Sequence, residues 1–229
     1  MRILSLPGGA KALFTGRAQG NLSSVGGAHS EKGLQARESL RTGIGVERLA
    51  RGYQVHGTVV CRVLSGEPFG AICSDSERQP DLEADGHAVA VKGVAAMVLT
   101  ADCIPVVLGA EGAVAALHAG WRGLAAGVLE EGVRALREVG GGGECTAIVG
   151  PCAGVCCYEV GEEVHGAFEG AHRVGCKLDL RAIAHERLLA AGVGQVEDVE
   201  ACTICDGRYF SYRREGALAG RQAGLAWLS

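Results

Sequence analysis

Between residues 59 and 149 the chain is a succession of short apolar runs of β type, at 59–64, 88–91, 95–100, 104–108, 113–117 and 146–149. Runs of this length, broken by glycine, proline and acidic residues, are strands rather than helices. Glu111-Gly112 reads as the tip of a hairpin joining two of them. Further strands are expected at 12–14, 196–202, 209–212 and 225–228.

Helical signals lie between and around these runs. Residues 31–42 form an amphipathic pattern, and from 124 to 139 apolar residues recur at helical spacing through Val128, Leu129, Val133 and Leu136 until the glycine run at 140–143. Asp179 reads as the N-cap of a helix through Ala190 that Gly192 closes. Strands and helices interleave without strict alternation, which favours mixed sheets over a doubly wound parallel sheet. A content of 48% hydrophobic residues in 229 is ample for one core, and no repeat, low-complexity tract or proline-rich linker divides the chain. We therefore expect one α/β domain over 1–229.

A net charge of -4 argues against a polyanionic partner, although local arginines can hold one phosphate. We expect no nucleic-acid and no membrane partner. The first residues carry one early arginine but neither a long apolar core nor a small-residue cleavage site, so the chain reads as soluble and cytoplasmic. As a monomer or small homo-oligomer it would act on small molecules. Ten cysteines in a chain of this size, without an export signal, are expected to be reduced thiols, some buried and some holding metal.

Three residues carry candidate chemistry. His56 in Gln54-Val55-His56-Gly57, Cys103 in Thr100-Ala101-Asp102-Cys103 and His118 in His118-Ala119-Gly120-Trp121-Arg122-Gly123 each end an apolar run beside a residue that forces a turn. Two imidazoles and one thiolate are the donor set of a catalytic zinc site with a fourth position for water, and such a metal keeps enough Lewis acidity to activate that water. Cys103 and His118 are candidate catalytic residues. Asp102 is a third, as a proton-transfer group or as an orienting neighbour. Arg122, Arg213, Arg214 and Arg221 are candidate phosphate holders, because a guanidinium fork fits an oxyanion.

The strings QVHG, LTADCIPVVL, HAGWRGLAAGVL, GPCAGVCCYEVGEEV, CTICDGRYFSYRREG and GRQAGLAWL resemble those of the YfiH family, the laccase-domain proteins regarded as purine nucleoside phosphorylases. Several ordered motifs over residues 50–229 are more specific than one short pattern. The resemblance implies a layered α/β/β/α sandwich, with zinc on His56, Cys103 and His118 and copper as the alternative metal. It also implies Gln54 as a substrate-binding residue, and phosphorolysis of adenosine, inosine and methylthioadenosine with deamination of adenosine. Where the family usually has asparagine before the arginine of its first helix, this chain has Ala36 before Arg37, so a ligand role for Arg37 is not carried over.

The laccase label itself finds no support in the residues. Multicopper oxidation needs a blue-copper site and a histidine-rich cluster, whereas this chain has seven histidines and no His-x-His pair. Rossmann and P-loop signatures are missing too. Two alternatives stand: a Cys-His hydrolase that edits peptidoglycan precursors by removing misincorporated L-serine, and a structural zinc or interaction module with a closed site and no pocket. A competing metal reading would use Cys152, Cys156 and Cys157 with Cys202 and Cys205, but Cys202-Thr203-Ile204-Cys205 is a knuckle without a partner of equal spacing. These cysteines therefore read as thiols packed near one another in a reduced core, with a redox pair at Cys202 and Cys205 as the lesser alternative.

Overall fold

The computed structural model describes residues 2–23, 28–64 and 82–229. The chain begins with β1 (Ile3–Ser5), β2 (Lys11–Phe14), α1 (Ala28–Ile44) and β3 (Arg48–Ala50). It continues through β4 (Val60–Val63), β5 (Gly86–Val89), β6 (Val94–Thr100), β7 (Ile104–Glu111) and β8 (Ala113–Ala119) to α2 (Trp121–Ala126) and α3 (Val128–Glu138). The last part contains β9 (Gly142–Val149), α4 (Glu162–Gly166), β10 (Arg173–Val174), β11 (Lys177–Leu178), α5 (Leu180–Ala190), β12 (Gln195–Asp198), α6 (Tyr212–Glu215) and β13 (Gln222–Trp227).

Two mixed sheets carry the fold. One has the order β1-β2-β13-β6-β3 and the other β12-β9-β7-β8-β5-β4, with β10 and β11 forming a separate hairpin. Antiparallel pairs build the body of each sheet; the parallel pairs β3/β6, β4/β5 and β9/β12 lie at edges. The β7/β8 hairpin turns at Gly112, whose φ of 81° is the left-handed conformation that glycine adopts without a Cβ penalty.

The pleat explains why the strand sequences are apolar nearly throughout. Val94, Ala96 and Val98 of β6 face the other sheet, together with Val107, Val114, Ala116 and Ile148. The alternate residues Ala95 and Met97 join Leu13, Leu49, Leu225 and Trp227 beneath Leu40 of α1. On the far side, Val106, Leu108 and Leu117 pack against Leu129, Val133 and Leu136 of α3 and Ile183 and Leu188 of α5. Each sheet is thus buried on both faces, the condition under which strands lose polar alternation. The result is the layered α/β/β/α sandwich that the resemblance implied.

Three expected elements differ. The helix foreseen over 124–139 is two, because Gly127 takes φ 97° and ends α2 before α3 begins. Gly142 and Gly143, read as part of a helix stop, instead open β9. The strand foreseen at 209–212 is a loop leading into α6: Ser211 accepts from the Arg214 amide as N-cap, and the Gln222 amide group pairs with both backbone groups of Phe210 at 2.6 and 3.0 Å. That side chain supplies the hydrogen bonds a neighbouring strand would have made.

Candidate metal centre and pocket

Residues 101–103 carry the chain from β6 in one sheet to β7 in the other, and the candidate ligands gather at this crossing. Cys103 follows Asp102, whose φ of 92° turns the backbone sharply. His118 is on the penultimate position of β8. His56 is held in a turn with φ 61°. Alanine at Gly120 would place Cβ 2.5 Å from His56 Cδ2, and a Cβ at Gly123 would lie 2.7 Å from the Gly57 carbonyl. The glycines of the His118–Gly123 motif thereby let α2 start against the His56 turn.

One donor atom from each of His56, Cys103 and His118 lies within 4.8 Å of the others. His56 Nε2 is 3.7 Å from Cys103 Sγ, and the two imidazoles meet edge to face at 4.8 Å. The strongest organiser is Asp85, which the sequence reading missed. Its fully buried carboxylate bonds His118 Nδ1 at 2.7 Å and accepts the backbone amides of Val55, His56 and Gly57 at 3.2, 3.0 and 2.7 Å. One side chain therefore orients both the imidazole of His118, leaving its Nε2 toward the cluster, and the turn that carries His56. The only local signal was an acidic residue at a strand start, which is too common to mark a site.

Burial raises the Cys103 thiol, but His118 and His56 outweigh it and bring the thiol down to about 6. Burial likewise disfavours the His118 imidazolium, yet Cys103 and Asp85 raise it to about 9. Asp85 is opposed by its own burial and held below the ordinary carboxylate range chiefly by His118. Without a metal these shifts favour a thiolate–imidazolium pair backed by a carboxylate, and a bound ion would take the place of the imidazolium proton. Its donors, two nitrogens and a soft sulfur with Asp85 behind one of them, fit a zinc or copper ion with three protein ligands.

The cluster opens into a cavity of about 510 Å³. Three of the chain's four tyrosines, Tyr53, Tyr158 and Tyr212, line it with Trp121. So do Arg51, Arg122, Arg213 and Arg221, and among the described residues Asp102 is the one carboxylate in the lining. Arg122 is the most available of these: its guanidinium lies over the Trp121 ring at 4.2 Å, its side chain is 61% exposed, and Glu163 is 3.9 Å away. Arg213 donates to the Glu159 carbonyl and stands over Tyr158. Arg221 donates to the Ala219 and Gly220 carbonyls.

Other candidates are placed differently. The Asp102 carboxylate accepts from the Thr203 hydroxyl at 2.6 Å, the Ser211 hydroxyl at 3.1 Å and the Arg213 amide at 2.7 Å, so its place is that of an orienting residue. Gln54 lines the cavity, but its amide pairs with both backbone groups of Leu99 at 2.7 and 2.8 Å. Arg214 stays off the cavity wall, its guanidinium donating to the carbonyls of Thr203, Ile204 and Tyr209 and to Glu215. Arg37, on α1, is buried and donates to the Leu22 carbonyl. Of the cysteines, Cys152 is in the core, whereas Cys156 and Cys205 are exposed and Cys157 and Cys202 half-buried. The reduced-core expectation for residues 156 and 157 does not hold, because the loop after β9 turns them outward.

The model of the family described as multi-copper polyphenol oxidoreductase laccase matches residues 8–229. A Xylella fastidiosa protein named purine nucleoside phosphorylase is 38% identical over 97% of this chain and 88% of its own length. The Escherichia coli purine nucleoside phosphorylase YfiH is 37% identical over 76% of the chain and 72% of its own. Among solved structures, a Neisseria meningitidis protein of family DUF152 superposes with a TM-score of 0.82 at 32% identity over the full length of both chains. The Bacillus licheniformis protein YfiH, at 23% identity, a TM-score of 0.83 and coverage of 96% of this chain and 93% of its own, shares the fold. The ordered motifs, the two-sheet sandwich and the near-complete match place this chain in the YfiH family, the family whose model carries the laccase description.

Proposed function

We propose that this chain is a metal-dependent purine nucleoside phosphorylase acting on adenosine, inosine and S-methyl-5′-thioadenosine, with adenosine deamination as a second reaction of the same site. The observation that carries it is an aromatic-walled cavity with four arginines among its described lining residues and the His56–Cys103–His118 cluster in the same wall, in a chain whose relatives bear that enzyme's name. A purine needs flat apolar faces, which Tyr53, Trp121, Tyr158 and Tyr212 supply. Phosphate needs fixed cationic forks, and Arg122, reaching over Trp121 with most of its side chain exposed, is the first choice. Arg213 and Arg221, each partly committed to carbonyls, would support it.

In phosphorolysis a phosphate oxygen bonds to the sugar C1′ as the bond to the purine nitrogen breaks. The electron pair leaves with the base, which takes up a proton, and ribose 1-phosphate remains. In this cavity the arginines would hold the nucleophile and the aromatic wall would hold the leaving base in line with it. Zinc on His56, Cys103 and His118 would supply Lewis acidity. Asp85 fixes the tautomer and tilt of His118, and Asp102 fixes the Arg213 backbone. In deamination, water oxygen replaces the amino group at C6 and ammonia departs.

A second reading has one specific observation behind it. Without metal, Cys103, His118 and Asp85 form the thiolate–imidazolium–carboxylate line of a cysteine hydrolase. Editing of cell-wall precursors would use that line. A structural module has less behind it, since three donors facing a cavity do not make a closed site.

The test is product analysis of metal-quantified protein with adenosine, with and without phosphate. Phosphate-dependent adenine and ribose 1-phosphate, together with inosine in both cases, is the expected result. Metal-loaded protein that turns over neither way would overturn the phosphorylase reading and direct attention to amide substrates.

A further inference from the structure

We propose that Cys156, Cys157, Cys202 and Cys205 form a second metal site, a closed tetrathiolate centre for an ion of zinc's class that ties the loop after β9 to the loop after β12. The four sulfurs lie within 4.8 Å of one another. A tetrahedral zinc with bonds of about 2.3 Å to sulfur requires sulfurs about 3.8 Å apart. Cys156 and Cys157 stand 3.4 and 2.9 Å from Cys205, so these two separations need to widen by less than about 1 Å, and none of the others exceeds a metal's dimensions by more than about 1 Å.

The backbone is arranged for thiolates. Cys202 Sγ accepts the Gly154 amide at 3.3 Å and the Cys205 amide as well. The second of these is the bond by which a CxxC turn folds its own amide onto its first sulfur. Gly154 permits the approach, because a Cβ there would lie 3.1 Å from Cys202 Cβ and 3.4 Å from Cys156 Sγ. Lys177 Nζ bonds the Cys156 carbonyl at 2.6 Å and brings a positive charge to the same loop. The knuckle at 202–205 lacks a second knuckle in the sequence; in three dimensions its partner is the adjacent pair Cys156-Cys157.

Four soft donors select zinc or copper(I) over hard cations and leave no open position, which makes the centre structural. What it would brace is the wall of the cavity. Thr203, between the two knuckle cysteines, donates to Asp102, and Tyr158, next to Cys157, lines the pocket. Besides the metal, the two loops meet through a backbone β-bridge at Cys152 and Cys202, in which the Cys152 amide donates to the Ala201 carbonyl at 3.3 Å and the Thr203 amide to the Cys152 carbonyl at 2.9 Å, and through the Gly154 amide on Cys202 Sγ.

The experiment loads reduced protein with zinc, and separately with cobalt(II), and compares the wild type with Cys103→Ser and with Cys157→Ser/Cys205→Ser. Cys103→Ser should keep about one zinc per chain and a strong thiolate-to-cobalt charge-transfer band, as four sulfur ligands require. The double variant should lose about one zinc equivalent and most of that band. If it does not fold, the wild type and Cys103→Ser decide alone. A band that vanishes in Cys103→Ser, or reduced protein that takes up no cobalt there, overturns the proposal. So does a double variant that binds as much zinc as the wild type. Failure of the His56–Cys103–His118 reading looks different: the wild type would then carry about one zinc that Cys103→Ser retains.

Discussion

The two sulfur-bearing clusters of this molecule sit on opposite kinds of scaffold. The His56–Cys103–His118 group stands at strand ends where the chain changes sheets, and a buried carboxylate, Asp85, holds two of its three members through four hydrogen bonds. The four cysteines sit on loops, with backbone amides on the Cys202 sulfur and no buried carboxylate among the described residues to orient them. The first group is ordered by its own fold and, with three donors beside a cavity, would leave the fourth position of a bound ion open. The second can be ordered by a metal and leaves none. Open chemistry on rigid strand ends and a closed clasp on loops are what the two supports suit.

The comparison breaks most visibly at its centre. Cys103→Ala or His118→Ala should abolish metal binding at the first group and reduce phosphorolysis by about 10³-fold or more, the several kcal/mol that a Lewis acid supplies. Rates near wild type in metal-free variants would refute a metal role. Asp85→Asn probes the scaffold rather than the ligands. It should weaken zinc binding there by roughly 10- to 100-fold while cobalt binding by the four cysteines is unchanged; equal loss at both would mean that Asp85 supports the fold and not the site.

Among the arginines the contrast is finer. Arg122→Ala should raise the phosphate KM by about 10-fold, as loss of a charge-assisted hydrogen bond of about 1.5 kcal/mol implies, and leave deamination nearly intact. An equal loss in the two reactions would remove Arg122 from the phosphate site. Smallest is Arg214→Ala. Its guanidinium braces the Thr203, Ile204 and Tyr209 carbonyls, so the change should cost about 1 kcal/mol of stability in chemical denaturation and leave the phosphate KM where it was. A raised KM with unchanged stability would return Arg214 to the pocket.

Much of this was legible beforehand. Apolar runs and their glycine breaks located the six strands of the larger sheet and β2, β6 and β13 of the other to within a few residues, though not the short edge strands β1 and β3, and Asp179 capped α5 as read. The candidate ligands and Arg122 stood out because each lies in a short motif at the end of a run. Asp85 did not, since its partners are 28 to 33 residues away along the chain. Gln54 and Gln222 were equally opaque. Each uses its amide as a piece of missing strand, against Leu99 and Phe210, and glutamine has no preference that announces this. Arg213 and Arg214 are neighbours that the helix turn of α6 sends to different surroundings.

By itself, then, the sequence determined most of the strands and helices and, through its ordered motifs, the family and with it the layers. It also singled out the three residues that meet at the sheet crossing, because periodicity, turn chemistry and short motifs are properties of neighbouring residues. The tertiary structure alone decided which carboxylate orients the imidazole, which arginines reach the cavity and which cysteines meet. Those outcomes depend on where loops distant in sequence are brought together, and no local preference of a side chain encodes its distant partner.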